Sequence, residues 1–222
     1  MVAPNSASAK AKSTILLFGS QAVSFTKKSL MKLRSTIHGR PDLEWILETL
    51  QTLPKDWQLD TKETPCLEKS YGVEKLMSLS NFFNESQTEP PTSISLSNVT
   101  SGPLVIITHL TEYAEYATSN PIEADVRGAK GLGFCTGLLS ALAVSRLDGI
   151  QKLKHHGPVA IRLAMLAGAL VDAKQAGNPL GTFTCLSVAW TSTRGNEELD
   201  RVLAEFPEVR CPKDIHYNEY LD

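Results

Sequence analysis

The feature that most constrains the fold is a short, uninterrupted apolar run near the start of the chain. Residues 14–19 read Thr-Ile-Leu-Leu-Phe-Gly, so a glycine closes the run. Continuous apolar runs of this length that end in a turn residue are typical of buried strands in a parallel sheet. The run therefore predicts a buried first strand in a parallel sheet.

Helical patterns and strand candidates alternate along the rest of the chain. Apolar residues at helical spacing predict helices at 25–38, 41–53, 67–84, 103–118, 136–154, 157–175 and 196–206. Strand composition predicts further strands at 126–134 and 181–190, and the two proline-containing polar segments, 54–70 and 84–93, predict loops. This order predicts an α/β fold with a parallel sheet flanked by helices. We divide the chain into a disordered lead (1–13), a core domain (14–206) and a polar tail (207–222).

The composition excludes several classes of protein. Apolar residues make up 42% of the chain and charged residues 21%, which is normal for a soluble globular domain. The net charge of −2 argues against nucleic acid as a partner, because phosphate binding needs a concentrated basic face. The sequence has no run of about 18 apolar residues and no signal peptide. We therefore expect a cytoplasmic protein with no nucleic-acid or membrane partner.

The cysteines offer one candidate nucleophile and no metal site. The four cysteines are widely and irregularly spaced, at Cys66, Cys135, Cys185 and Cys211. Their spacing does not match a zinc motif, and the absence of a secretion signal favours free thiols over disulfides. The adjacent pair His155 and His156 lacks neighbouring carboxylates, so we expect no metal there.

Cys135 lies where a predicted strand meets a predicted helix, in Gly133-Phe-Cys-Thr-Gly137. In the nucleophile elbow Gly-x-Ser-x-Gly, the nucleophile occupies a sharp turn between strand and helix, and the glycines leave room for that turn. A helix that begins here favours the thiolate of Cys135 and places the Thr136 N–H to stabilise an oxyanion. The same five residues also fit a plain helix start with a buried cysteine.

Three segments, taken together, resemble one known domain. They are Leu-Leu-Phe-Gly-Ser-Gln at 16–21, the Gly-x-Cys-x-Gly turn, and Ala-Ile-Arg-Leu-Ala at 160–164. In order and spacing they resemble the starter unit:acyl carrier protein transacylase domain of fungal non-reducing polyketide synthases. That domain is in turn similar to malonyl-CoA:acyl carrier protein transacylases. The resemblance covers nearly the whole chain.

The resemblance implies an α/β-hydrolase-like core and a definite chemistry. Cys135 would take an acyl group from acyl-CoA or an acyl carrier. It would then pass the group to the phosphopantetheine thiol of an acyl carrier protein or of a polyketide or fatty acid synthase. Gln21 would be the second oxyanion donor beside Thr136, and no cofactor would be bound. Ala167, ahead of Gly168, stands where malonyl transferases carry an arginine, which implies a neutral acyl group.

The chain also departs from the family pattern. In the family the catalytic histidine follows a small ferredoxin-like subdomain, and we expect both to be missing from a chain that ends at Asp222. His109, in a predicted amphipathic helix, is the best internal candidate for a base. Three functions stay open: a transacylase, a thioesterase-like hydrolase, and a non-catalytic module that binds a carrier protein or synthase.

Overall fold

The computed structural model describes residues 15–20, 25–65, 67, 72–90, 97–120, 130–145 and 150–176. All of them lie in one compact unit, Met1–Phe183. The predicted lead, the tail, the strand at 181–190 and the helix at 196–206 lie outside the described residues. The predicted domain bounds therefore stay predictions.

The described residues form two strands and six α-helices. The strands are β1 (Ile15–Phe18) and β2 (Lys130–Gly133). The helices are α1 (Lys27–His38), α2 (Glu44–Glu63), α3 (Gly72–Phe83), α4 (Asn98–Ser119), α5 (Gly137–Ser145) and α6 (Leu153–Ala176). Short 3-10 turns precede α2 at Pro41–Leu43 and α6 at Ile150–Lys152. The described part is mostly helical with a small parallel sheet, which is compatible with the predicted α/β fold.

The two strands pair in parallel, with Ile15 opposite Lys130 and Phe18 opposite Gly133. Helices cover one face of this pair, where Phe18 is buried. On the other face Leu17 is 75% exposed and Leu132 is 57% exposed. The prediction of a parallel β1 is confirmed, whereas the predicted burial of this strand is observed only on the face of Phe18.

The core is built around α4, which buries apolar residues on nearly all sides. Its main partner is α6, and two glycines set how closely the two helices approach. A Cβ atom added to Gly168 of α6 would lie 2.1 Å from the Asn98 carbonyl oxygen. A Cβ atom added to Gly102 of α4 would lie 2.8 Å from the Ala164 carbonyl oxygen. Small residues thus let the backbones of the two central helices pack in contact.

The N-terminus of α4 is capped by a side chain from α6. The Asp172 carboxylate accepts hydrogen bonds from the backbone N–H groups of Asn98 and Val99, both at 3.1 Å. It also accepts from the Ser97 hydroxyl at 3.0 Å and from the Asn98 side-chain amide at 2.7 Å. A carboxylate at this position satisfies donors that the helix leaves unpaired and complements its dipole. The cap explains why α4 begins before Pro103, where the periodicity placed its start.

The predicted loop at 54–70 is wrong over its first half, because α2 continues through Pro54 to Glu63. Proline removes one helical hydrogen bond, and its ring opposes the helix at a cost of about 3 kcal/mol. Burial opposes that penalty: Leu53 and Trp57 extend the apolar stripe of α2 and are 0% and 2% exposed. The helix continues because it buries these two side chains.

The helix predicted at 136–154 is not one continuous helix, since α5 is described over Gly137–Ser145, a 3-10 turn covers Ile150–Lys152, and α6 begins at Leu153. The sequence predicted a helix buried nearly all round in the α6 region. Instead α6 buries small residues such as Ala164 against the core and leaves Val159 and Leu163 exposed. Leu153–Ala173 is long and apolar enough to cross a membrane by length and composition. Core helices of soluble proteins share that composition, so it assigns no membrane partner.

We predict that Thr111→Val stabilises the protein by about 1 kcal/mol, because the Thr111 hydroxyl is buried in α4 and has no hydrogen-bond partner among the described residues. Urea unfolding measures the change. Thr100→Val is the matched control, since Thr100 is equally buried in the same helix but donates to the Ser97 carbonyl at 3.1 Å. It should be destabilised by about 1 kcal/mol. Equal effects of the two substitutions would contradict the interpretation.

Candidate active site

The candidate site is the three-residue turn, Phe134 to Thr136, between β2 and α5. The Phe134 N–H donates to the Phe18 carbonyl at 3.0 Å, which extends the pairing of the strands by one residue. The Gly137 N–H then donates back to the Phe134 carbonyl at 3.0 Å, and the Leu138 N–H to the Cys135 carbonyl at 3.0 Å. The chain therefore changes from strand to helix within one tight turn.

Cys135 stands at the apex of this turn in a left-handed backbone conformation, with φ of 55°. For an L-residue other than glycine this region costs about 1–2 kcal/mol, and it is found at turns and functional sites. The thiol is exposed, and its sulphur lies 3.8 Å from the Thr136 hydroxyl. A strained, accessible residue between strand and helix is the arrangement of a nucleophile elbow. The alternative of a buried cysteine at a plain helix start is not observed.

Both glycines of the motif have a steric reason in the structure. A Cβ atom added to Gly137 would lie 2.3 Å from the carbonyl oxygens of both Phe18 and Gly19. A Cβ atom added to Gly133 would lie 2.3 Å from the Gly137 carbonyl oxygen and 2.4 Å from the Leu138 Cα. These neighbours are backbone atoms, which cannot rotate away. Only glycine at both positions allows α5 to begin in contact with the end of β1.

His109, the candidate base, projects from α4 toward α5. Its Nδ1 lies 3.0 Å from the Ser140 hydroxyl, and its ring packs against the Phe18 ring at a centroid distance of 5.6 Å. Burial lowers the pKa of His109, which favours the neutral form of its ring. In the described part of the chain no hydrogen bond joins His109 to Cys135. The structure therefore places His109 against the end of β1 and the first turn of α5, with Ser140 as its hydrogen-bond partner.

The predicted oxyanion donors are only partly described. Thr136 directly follows Cys135 and precedes α5, as the motif predicts, and its carbonyl accepts from the Leu139 N–H at 3.1 Å. Gln21 lies outside the described residues, so its role stays a prediction.

Two other polar side chains, those of Arg162 and His38, lie apart from the turn. Arg162 donates to Asp56 at 2.7 Å and to the Thr52 hydroxyl at 2.8 Å, which holds its side chain against α2. His38 hydrogen-bonds the Phe83 carbonyl at 2.7 Å, so it serves the end of α3 as well as α1. Within the described ranges, three or more metal-ligating side chains do not come together.

Sequence reasoning missed Ser140, which is fully buried in the first turn of α5. A serine within an apolar helix is a weak signal by itself. The partner that gives it a role lies 31 positions earlier, on another helix.

Comparison with known proteins now identifies the family. The model for the family described as starter unit:ACP transacylase in aflatoxin biosynthesis matches residues 16–213. The chain belongs to this family, which confirms the resemblance inferred from the three sequence segments.

The proteins similar to this chain include long fungal synthases. Non-reducing polyketide synthase pigA of Monascus ruber is 37% identical over 206 residues, which cover 89% of this chain. Non-reducing polyketide synthase epaA of Aspergillus niger is 36% identical over 205 residues and 92% of this chain. Clavatol synthase claF of Penicillium crustosum is 35% identical over 208 residues and 88% of this chain. The match spans 8% of the length of each of these relatives.

We predict that Gly137→Ala destabilises the protein by about 3 kcal/mol, because the added methyl group must displace the backbone at the end of β1. The same shift should slow alkylation of Cys135 by iodoacetamide. Gly19→Ala is the control, since an added Cβ there meets nothing within 4 Å, and it should stay within about 0.5 kcal/mol of wild type. Urea unfolding and peptide mass spectrometry measure both. A stable Gly137→Ala protein with normal thiol reactivity would refute the close contact.

We predict that Cys135→Gly is more stable than Cys135→Ala by about 1 kcal/mol, because glycine adopts positive φ without the steric penalty. The comparison is made by urea unfolding of the two variants. Lys32, exposed inside α1, is the matched control position. There the order should reverse, with alanine more stable than glycine by about 1 kcal/mol. The same order at both positions would argue against a left-handed Cys135.

Proposed function

We propose that this chain carries the acyl-transfer site of a starter unit:acyl carrier protein transacylase, with Cys135 as its nucleophile. The observation that supports this most directly is the left-handed, exposed Cys135 between β2 and α5. Membership of the transacylase family supports the reaction class. We also propose that β1 and β2 belong to an α/β-hydrolase-like sheet similar to that of malonyl-CoA:acyl carrier protein transacylases.

The proposed reaction is two successive thioester exchanges. The Cys135 thiolate attacks the carbonyl carbon of an acyl-CoA, and the carbon–sulphur bond to CoA breaks to release the CoA thiolate. The phosphopantetheine thiolate of a carrier protein then attacks the Cys135 thioester and releases Cys135. Each step breaks one thioester and forms another, so the two are nearly isoenergetic. Catalysis then depends on the position of the sulphur and on stabilising the oxyanion, for which we propose the Thr136 N–H and Gln21.

We propose a neutral acyl group as the starter unit. The support is the identity of Ala167, which has no positive charge to pair with the free carboxylate of a malonyl group. The proposed partners are an acyl carrier protein or the synthase that contains it, and the proposed setting is the cytoplasm.

One observation favours a second candidate, a non-catalytic module that binds a carrier protein or synthase. A cysteine without a positioned base is a weaker nucleophile, since the base normally activates the thiol. Among the described residues Cys135 has no histidine as a hydrogen-bond partner, and Nδ1 of His109 hydrogen-bonds Ser140. The two candidates differ in whether Cys135 is needed for anything beyond binding.

We predict that acetyl-CoA or a longer fatty acyl-CoA acylates the wild-type protein on Cys135 and leaves Cys135→Ala unmodified. Malonyl-CoA should react about tenfold more slowly, since its carboxylate lacks a charged partner. Intact-mass and peptide mass spectrometry identify the adduct and distinguish Cys135 from Cys66, Cys185 and Cys211.

A chase of the acylated protein distinguishes the remaining functions. Acyl transfer to a phosphopantetheinylated carrier protein supports the transacylase. Release of free acid without a carrier supports a thioesterase-like hydrolase. Failure of every donor to acylate Cys135, together with carrier-protein binding that survives Cys135→Ala, would refute acyl transfer and support the binding module.

A further inference from the structure

We propose that His109 is a positioning residue for Cys135, and that it acts by hydrogen-bonding Ser140 and packing on Phe18. The effect of His109 on catalysis rests on the proposed acyl transfer. Its effect on the conformation of the turn rests only on its contacts with Ser140 and Phe18.

The first contact holds the start of α5. Ser140 is 0% exposed and lies one helical turn after Gly137, so its hydroxyl has no access to water. His109 Nδ1, at 3.0 Å, joins this first turn of α5 to the central helix α4. A buried hydroxyl is costly to leave unpaired, so the bond restricts how far α5 can move relative to α4.

The second contact holds the end of β1. The His109 ring packs on the ring of Phe18, the last residue of β1. The Phe18 carbonyl accepts from Phe134 at one end of the turn and touches Gly137 at the other. One imidazole thus contacts both elements whose close approach forces Cys135 into its left-handed conformation.

The neutral state of the ring suits this role. Burial lowers the pKa of His109, and its ring neighbour Phe18 is apolar. A neutral imidazole hydrogen-bonds a serine hydroxyl without bringing an unpaired charge into the core. Cys135 therefore depends on His109 for its position, through the bond of Nδ1 to Ser140 and the packing of the ring on Phe18.

The test compares His109→Leu, His109→Asn and Ser140→Ala with wild type. Asparagine places a polar atom where Nδ1 lies, whereas leucine has a similar volume and no hydrogen-bonding atoms. We expect His109→Leu and Ser140→Ala to slow alkylation of Cys135 by iodoacetamide about tenfold, because a displaced α5 no longer places its N-terminal N–H groups beside the negative charge of the attacking sulphur. We expect His109→Asn to restore most of the rate. The double variant His109→Leu/Ser140→Ala should be no slower than the worse single variant, because both remove one interaction.

The readouts separate positioning from mere stability and from the proposed function. Rates are measured per folded protein by peptide mass spectrometry, and the melting temperature is recorded for each variant. Acylation should slow by the same factor as alkylation, with its dependence on acyl-CoA concentration unchanged. Altered melting temperatures with alkylation rates within about twofold of wild type would overturn the proposal, as would an asparagine variant as slow as leucine. If His109→Leu fails to fold, Ser140→Ala alone decides, since alanine suits a buried helix.

An alkylation result remains informative even when acylation fails. Slow alkylation of His109→Leu in a protein that no acyl-CoA acylates refutes the transacylase and keeps the positioning role. Normal alkylation of all variants, in a protein that acyl-CoA acylates, refutes the positioning role and keeps the transacylase.

Discussion

The contact between Gly137 and the backbone at the end of β1 is the constraint on which the described site depends. An added Cβ atom at Gly137 would lie 2.3 Å from two carbonyl oxygens, so α5 begins as close to the strand as a backbone can approach. The chain leaving β2 must therefore reverse within three residues. Cys135, in the middle of these, takes a conformation that L-residues other than glycine rarely adopt. Its exposure and its place before a helix follow from the same reversal.

The helical core keeps this strained turn in place. The penalty of about 1–2 kcal/mol for a left-handed Cys135 is small beside the burial of α4, whose apolar side chains pack on several neighbours. The packing of α4 on α6 is itself fixed by two contacts, the close backbone approach at Gly168 and the Asp172 cap at the start of α4. The hydrogen bond between His109 and Ser140 joins α5 to this pair of helices. The strained turn between β2 and α5 is thus held by contacts with residues that are distant in sequence.

Local patterns predicted the parts of this structure that depend on local interactions. The apolar run before Gly19 predicted β1, and the spacing of Gly133, Cys135 and Gly137 predicted the turn, because each pattern reflects neighbours in sequence. The continuation of α2 through Pro54 could not be predicted locally, since it depends on the burial of Trp57. The same holds for the Asp172 cap and for the His109–Ser140 pair, which join residues on different helices. Gln21 and the candidate elements after α6 stay predictions.

The steric frame around Cys135 separates two kinds of sequence change during evolution. The side chain at position 135 points to solvent and touches little, so its chemistry can change from thiol to hydroxyl or to nothing without disturbing the fold. Gly133 and Gly137 are enclosed by backbone, and any side chain there displaces β1 or α5. A lineage that abandons catalysis would thus keep both glycines long after losing the cysteine. In such a chain the two glycines would still identify the family, while the residue between them would show whether a nucleophile is present.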